Sequence, residues 1–380
     1  MSEHTSFKHT LPQRPPDPAS ALFSTIARQS DGPVLWLLDE QTVTIESSGI
    51  GRPTGGPIRF ASNRYDIYCA LHQAGADAVF NDFDFRSTEN GQFQTILYRI
   101  SKEKAVVHHL INTAWRLLRP GGELVLYGAK NEGIKTYLDK AGSLFGRRPD
   151  ISRHSGFYLG RLTRSDAAAG TRLDDQDYAQ LRIIGEQNGI PFLSKPGLFG
   201  WNKIDPGSAL LAAQLPAVLA NCKTPPQSLL DLGCGYGYLT LLAHQLQPFQ
   251  RLVASDNNAA ALLACQANFA ARNITGEVIA DDCGKSLITP FDLILCNPPF
   301  HRGFEHDQAL TEHFLAAAAR LLTASGRALF VVNRFIPLPR LAPIFFQHIS
   351  VVTENRSFIV FELAQAQPPA RKTTRGRIRT

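Results

Sequence analysis

No two cysteines in this chain are spaced Cys-x-x-Cys; the six stand at 69, 222, 234, 265, 283 and 296. Neither a zinc ribbon nor a thioredoxin-type redox site fits that spacing, and no metal is expected. No apolar run reaches the roughly 18 residues that a membrane-spanning helix needs, so no membrane association is expected either. The first twenty residues carry Lys8, Arg14 and four prolines, without the apolar stretch of a secretory leader. Charged residues are sparse at 19%, while 44% are hydrophobic, which excludes a wholly disordered chain. Reduced thiols in a soluble chain point to the cytoplasm. A length of 380 residues predicts two domains, and the protein is expected to be a monomer.

The net charge is only +6, but it is unevenly spread. Lys140, Arg147, Arg148, Arg153, Arg161 and Arg164 face a single acid, Asp150, and the tail carries Arg371, Lys372, Arg375, Arg377 and Arg379 with none. Such clusters suit a polyanion such as RNA, bound through its phosphates; a solvated surface accounts for them equally well.

Strand and helix patterns alternate through both halves, the signature of a parallel sheet covered on both faces. In the first half Val34–Leu38, Thr42–Ile45, Ala78–Asn81, Thr95–Tyr98 and Glu123–Tyr127 read as strands. Lys104–Leu118 reads as a helix, stopped by Arg119-Pro-Gly-Gly122. Residues 166–190, rich in Ala, Asp and Gly, read as a linker that turns helical. In the second half Ser228–Leu232, Arg251–Ser255, Gly276–Ala280, Asp292–Cys296 and Ala328–Asn333 are predicted strands, with helices at Leu239–Leu246, Ala259–Ala271 and Leu310–Leu322. Ile349–Thr353 and Ser357–Leu363 are expected to pair antiparallel at the sheet edge. A faint repeat relates Ala114–Tyr127 to Ala319–Val332: helix, glycine turn, strand.

The sharpest motif is Ser228-Leu-Leu-Asp-Leu-Gly-Cys-Gly-Tyr-Gly237, a strand running into Asp231-x-Gly233-x-Gly235-x-Gly237 and then a helix. Glycines there let the backbone turn tightly and let a ligand approach closely. The spacing is G-x-G-x-G after an acid. A dinucleotide fingerprint would be G-x-G-x-x-G, so the pattern favours S-adenosylmethionine over a nicotinamide cofactor. Asp256 ends the next strand, where a carboxylate can accept hydrogen bonds from both ribose hydroxyls. A helix cap is the competing explanation, though Asn257 or Asn258 could serve as the cap. In Ala280-Asp-Asp-Cys283 one acid is expected at the adenine amine, Asp282 in preference to Asp281. A further strand ends in Asn297-Pro298-Pro299-Phe300. The Asn297 side-chain oxygen and the Pro298 carbonyl can both accept from an exocyclic NH₂, aiming its nitrogen at a methyl donor, while Phe300 offers a stacking face for the base. His301 follows this tetrapeptide. N-methylation needs no strong base, so a surface or hydrogen-bonding histidine is the simpler reading. His108-His109 has no ligand partner at metal-binding spacing and reads as structural.

Together these motifs resemble the Rossmann-like amino-methyltransferases over about residues 195 to 365. Asn297-Pro-Pro-Phe-His-Arg-Gly303 and Gly197-Leu-Phe-Gly-Trp-Asn-Lys-Ile-Asp-Pro-Gly-Ser208 are more narrowly similar to the ribosomal RNA guanine-N2 methyltransferases of the RsmC and RlmG type. The resemblance implies two tandem Rossmann-like methyltransferase domains of α/β class. The second has a mostly parallel sheet with an antiparallel edge and is active; the first is degenerate. It implies boundaries at 1–20 (a flexible start), 21–165, 166–190 (the linker), 191–366 and 367–380 (a disordered basic tail). It further implies roles near cofactor or base for Phe199, Asp205, Gly207 and Ser208, with Asp205 and Gly207 beside the cofactor and Phe199, Ser208 and Pro299 beside the substrate. Ribosomal RNA or a ribosomal subunit is the implied partner, gripped in part by Arg147, Arg148 and Arg161. Gly-Trp-Asn-Lys after Phe199 departs from the more polar residues of relatives. The first half contains no Gly-x-Gly-x-Gly, and its strand ending at Tyr98 continues Arg99-Ile-Ser. The implied activity is methylation of a guanine N2 amine in 16S ribosomal RNA, with 23S ribosomal RNA as the alternative target. The same chemistry also serves adenine-N6 and release-factor glutamine methylation, and a non-catalytic RNA-binding factor that kept the fold is a further alternative.

Overall fold

The computed structural model describes residues 18–40, 56–154, 156–166, 169–299, 301–302, 305–306 and 308–367. The predicted strand Thr42–Ile45, the start of the chain before residue 18, Phe300 and the basic tail lie outside the described residues.

The chain divides into two compact units, with the main boundary between Tyr178 and Ala179 and the short stretch Arg302–Glu305 grouped with the first. The first unit holds α1 (Pro18–Gln29), β1 (Val34–Leu38), β2 (Ile58–Ser62), α2 (Tyr65–Gln73), β3 (Asp77–Phe80) and β4 (Phe93–Arg99), followed by α3 (Lys104–Leu117), β5 (Leu118–Ala129), α4 (Ile134–Phe145), β6 (Asp150–His154) and β7 (Phe157–Thr163). Its seven strands lie in the order β3-β2-β1-β4-β5-β7-β6, parallel except for β7, which runs antiparallel to both β5 and β6. Helices on both faces explain why central strands are unbroken apolar runs: all five residues of β1, Val-Leu-Trp-Leu-Leu, are buried.

The second unit opens with the hairpin β8 (Arg182–Gln187) and β9 (Ile190–Ser194), then α5 (Pro206–Ala212), α6 (Leu215–Ala220), β10 (Ser228–Leu232), α7 (Tyr238–Leu246), β11 (Arg251–Asp256), α8 (Ala259–Ala270), β12 (Glu277–Ala280) and β13 (Phe291–Cys296). A two-residue ladder, β14 (His301–Arg302) with β15 (Glu305–His306), precedes α9 (Gln308–Leu321), β16 (Leu322–Asn333), α10 (Leu338–Leu341), β17 (Phe346–Glu354) and β18 (Phe358–Ala366). The large sheet has the order β12-β11-β10-β13-β16-β18-β17, with the expected antiparallel pair at one edge.

The two sheets share one topology, so the faint repeat marks a duplicated architecture. Both β5 and β16 are 12 residues long with the same sequence of buried and exposed positions. Each starts with an irregularity where its parallel partner shifts register, between Phe93 and Thr95 in one sheet and between Phe291 and Leu293 in the other. The Pro-Gly-Gly and Ser-Gly segments therefore bulge within a strand. Strand registers then superpose position on position. Trp36 stands where the second sheet has Asp231, Ser62 where it has Asp256, and Arg99 where it has Asn297.

In the first unit the last of these positions is closed off. Arg99 donates from Nη1 and Nη2 to the two Glu132 carboxylate oxygens at 2.6 and 2.7 Å, and each side chain is 10% exposed. Removing one partner leaves a mostly buried charge unpaired. We expect Arg99→Ala to cost about 2–3 kcal/mol of stability in urea unfolding.

One predicted segment is corrected. Residues 169–178 pack onto the first unit: Gly170 N–H donates to Leu144 O, Leu173 N–H to Asn112 Oδ1, and buried Tyr178 OH to Asp82. The following stretch forms the β8–β9 hairpin, where a helix was expected. Asn188-Gly189 turns it, both residues at positive φ (52° and 75°), the sequence pair best suited to a two-residue hairpin turn.

Candidate active site

The site lies at the carboxyl ends of β10, β11, β12 and β13, where strand order reverses between β10 and β13, the usual place for a ligand in a doubly wound sheet. Gly233, Gly235 and Gly237 all take left-handed φ, +81°, +54° and +84°. Gly237 caps α7, and a Cβ there would lie 2.8 Å from Cys265 Sγ. At Gly235 a Cβ would meet nothing within 4 Å, so this peptide faces open space that a ligand can enter.

Asp231, on β10, is 1% exposed. Its Oδ2 accepts from Thr240 N–H at 3.1 Å and Thr240 Oγ1 at 2.6 Å, whereas its Oδ1 is buried without a hydrogen-bond partner. Burial pushes its pKa up to about 7, against the opposing pull of the Thr240 hydrogen bonds. Thr240 escaped the sequence reading. Its one clue was a hydroxyl in the first turn of the helix after the glycines.

Asp256 turns back onto the glycine loop: Gly235 N–H donates to its Oδ2 at 2.9 Å and Asn258 N–H to its Oδ1 at 2.8 Å. The cap of α8 is Asn258, whose Oδ1 accepts from Ala260 N–H, so the competing explanation for Asp256 falls to its neighbour. Asp281 is buried and accepts from Ser286 N–H and Oγ, pinning the turn after β12. Asp282 is more open and pairs with Lys285.

Asn297 follows β13, with Pro298 buried and Pro299 exposed. The Asn297 Nδ2 donates to Asp205 Oδ2 at 2.9 Å and to Ser208 Oγ at 2.8 Å, which draws the Asp205–Ser208 segment to the tetrapeptide across 92 residues of sequence. Asp205 also caps α5, accepting from Ser208 N–H at 2.7 Å. Tyr236, inside the glycine loop, also meets the Asp205 backbone, and burial holds its hydroxyl well above the usual phenol range. Gly207 is buried against the Phe358 ring. Phe199 is 82% exposed on its loop. Trp201, the departure from family pattern, has the Arg182 guanidinium over its ring at 5.4 Å.

In the first unit Arg147 and Arg148 are exposed after α4, while Arg161 on β7 is bonded to Glu123 at 2.9 Å. His108 and His109 serve as the sequence suggested: their Nδ1 atoms meet the Asp174 carbonyl and the Asp175 carboxylate.

The second unit presents a left-handed glycine turn, a half-satisfied buried acid at its base and further acids at successive strand tips. Together they offer space and hydrogen-bonding capacity for S-adenosylmethionine. The fold and the site define an S-adenosylmethionine-dependent methyltransferase. Residues 189–362 match the methyltransferase small domain family, and residues 53–173 match the N-terminal methyltransferase small domain. A ribosomal RNA small subunit methyltransferase C of Pseudomonas aeruginosa is 33% identical over 277 residues, 72% of this chain and 80% of that protein. Its Serratia proteamaculans namesake is 27% identical over 82% of this chain and 86% of its own length. The Thermus thermophilus 16S rRNA N2 G1207 methyltransferase (RsmC), solved with AdoMet and guanosine, shares the fold at a TM-score of 0.78, with 23% identity and 92% of each chain covered. This chain belongs to the ribosomal RNA small subunit methyltransferase C family, as its motifs implied.

Proposed function

We propose that the second unit methylates the exocyclic N2 amine of a guanine in 16S ribosomal RNA. The observation that carries this reading is Asn297, held by two hydrogen bonds at the tip of β13 beside the glycine turn. The relatives' names supply the RNA: those curated act on the small subunit, and the solved one was bound to guanosine.

S-adenosylmethionine, when bound, supplies a methyl group on a sulfonium, electrophilic without a metal. Asp231, Gly233, Gly235 and Gly237 would hold its amino-acid portion, Asp256 its ribose and Asp282 its adenine. Asn297 Oδ1 and the Pro298 carbonyl accept the two hydrogens of the guanine amine and turn its lone pair toward the methyl carbon. As the N–C bond forms and the C–S bond breaks, the departing pair stays on sulfur and positive charge grows on nitrogen. The same two oxygens stabilise that charge, and the extra proton then leaves to water. Phe300 would stack the base, and the exposed Phe199 would meet the RNA beside it.

The first unit takes no part in this chemistry. An indole occupies the place of the cofactor acid (Trp36), a hydroxyl that of the ribose acid (Ser62) and an arginine that of the amide (Arg99). Arg147 and Arg148, both exposed, would grip phosphates, and Arg161, tied to Glu123, would contribute less. We further propose that the protein works as a cytoplasmic monomer on ribosomal RNA or a ribosomal subunit.

Nucleoside mass spectrometry of 16S RNA from a deletion strain tests the reading. One N2-methylguanosine should vanish and return on complementation. An unchanged guanosine profile, or loss of N6-methyladenosine in its place, rejects it.

A further inference from the structure

We propose that Asp205 is a positioning residue for methyl transfer: together with Ser208 it fixes which way the Asn297 amide faces and strengthens its oxygen as an acceptor. The inference rests on the amine-methylation reading above and deepens it.

An asparagine amide is nearly symmetric in shape, and a half-turn about its last bond exchanges acceptor for donor. Were Nδ2 to face the substrate, a donor would meet the hydrogens of the guanine amine and the site would fail. The orientation must therefore be enforced from behind. Asp205 Oδ2 lies 2.9 Å from the amide, and a carboxylate has no hydrogen to give, so the atom it meets must be the NH₂. Ser208 Oγ, 2.8 Å away, accepts the second Nδ2 hydrogen. Both donors are then used, and Oδ1 is left as the acceptor available to a substrate.

The Asp-Pro-Gly-Ser spacing follows from this task. Asp205 and Ser208 are three residues apart across the first turn of α5, so both side chains reach one amide. Pro206 starts the helix without requiring a hydrogen-bond partner of its own. At Gly207 any Cβ would lie 3.1 Å from Asp205 Oδ2 and 3.0 Å from the Phe358 ring, and would press the carboxylate out of line. A full negative charge behind the amide also polarises it, so that Oδ1 accepts more strongly as positive charge develops on the amine. This differs from a direct contact with the cofactor, which the family resemblance implied for Asp205.

The test uses the full chain, S-adenosylmethionine and small ribosomal subunits from a strain lacking the protein. Asp205→Asn keeps the helix cap, because asparagine caps as well as aspartate, but its amide no longer dictates the orientation of Asn297. We expect kcat to fall roughly tenfold with cofactor Kd within about twofold of wild type. Asn297→Asp sets carboxylate against carboxylate and should fall further. Combining it with Asp205→Asn, whose NH₂ can now donate to the new carboxylate, should recover about tenfold over Asn297→Asp alone. Ser208→Ala, which removes only one acceptor, should lower kcat about threefold and carries the test if Asp205→Asn does not fold. Wild-type kcat in Asp205→Asn and Ser208→Ala, or no recovery in the double variant, overturns the inference. So does weakened cofactor binding with kcat retained in Asp205→Asn. If Asn297→Ala itself keeps its turnover, the methylation reading has failed; if only the Asp205 and Ser208 variants are silent, this inference alone has.

Discussion

Asn297→Ala should lose at least about a hundredfold in methyl-transfer turnover, the scale of removing one group that stabilises charge in the transition state. Cofactor affinity should stay within about twofold, because the acids that would hold S-adenosylmethionine stand on other strands, Asp231 on β10 and Asp256 on β11. Stability should barely change. Truncation releases Asp205 and Ser208, but both are only partly buried, and water can replace the amide. The melting temperature should thus move by no more than about 2–4 °C. Single-turnover transfer of labelled methyl, with calorimetric titration of the cofactor, separates the effects. Near-wild-type turnover would remove Asn297 from the chemistry and with it the argument for an amine substrate.

Local patterns with one dominant physical cause were legible in the sequence. Val34–Leu38 is buried on both faces and is an unbroken apolar run, Ser228–Leu232 is apolar but for Ser228 and the buried Asp231, and the predicted bounds of both coincide with the strands observed. The Gly233-x-Gly235-x-Gly237 turn was legible because each glycine occupies a backbone conformation that other residues resist. The strand β6, with all five residues exposed, has no apolar alternation to betray it, and only its pairing with β7 makes it a strand. Residues 169–178 deceived through composition: Ala, Asp and Gly suggest a linker, yet two anchors, Leu173 and Tyr178, are enough to fasten them. Partnership across long sequence separations was out of reach. Asp205 could be placed near the site by resemblance, but only the fold brings its carboxylate to Asn297. Degeneracy in the first half was half visible: Arg99 announced a missing amide, while the equivalence of Trp36 and Asp231 emerged only from strand register.

Asp231 carries the other large effect, and its sign follows from burial. The carboxyl titrates near 3.8 in the unfolded chain and at about 7 in the folded one. Below the lower value both states are protonated and the group is neutral toward folding. Between the two, the folded state retains a proton that the unfolded state has released, so stability falls as pH rises and the full penalty is reached above about 7. Three pKa units set a ceiling of about 4 kcal/mol. Asp231→Asn should escape that slope, its oxygen still accepting from Thr240, at a cost of about 1–3 kcal/mol for an unpaired buried NH₂. The cofactor-free variant should therefore gain on wild type in thermal unfolding at about pH 8 and lose to it at about pH 4, where the wild-type penalty has nearly vanished. Cofactor binding should run the opposite way. The ionised carboxylate, with an oxygen still to be satisfied, is the form that welcomes an ammonium group. Wild-type affinity should then tighten as pH rises through 7. In Asp231→Asn it should stay flat and lie about a hundredfold weaker at pH 8, the upper range for one charged hydrogen bond. A flat wild-type profile, or a variant that binds as tightly, would make Asp231 a packing element of the strand and leave the glycine turn to hold the cofactor by shape alone.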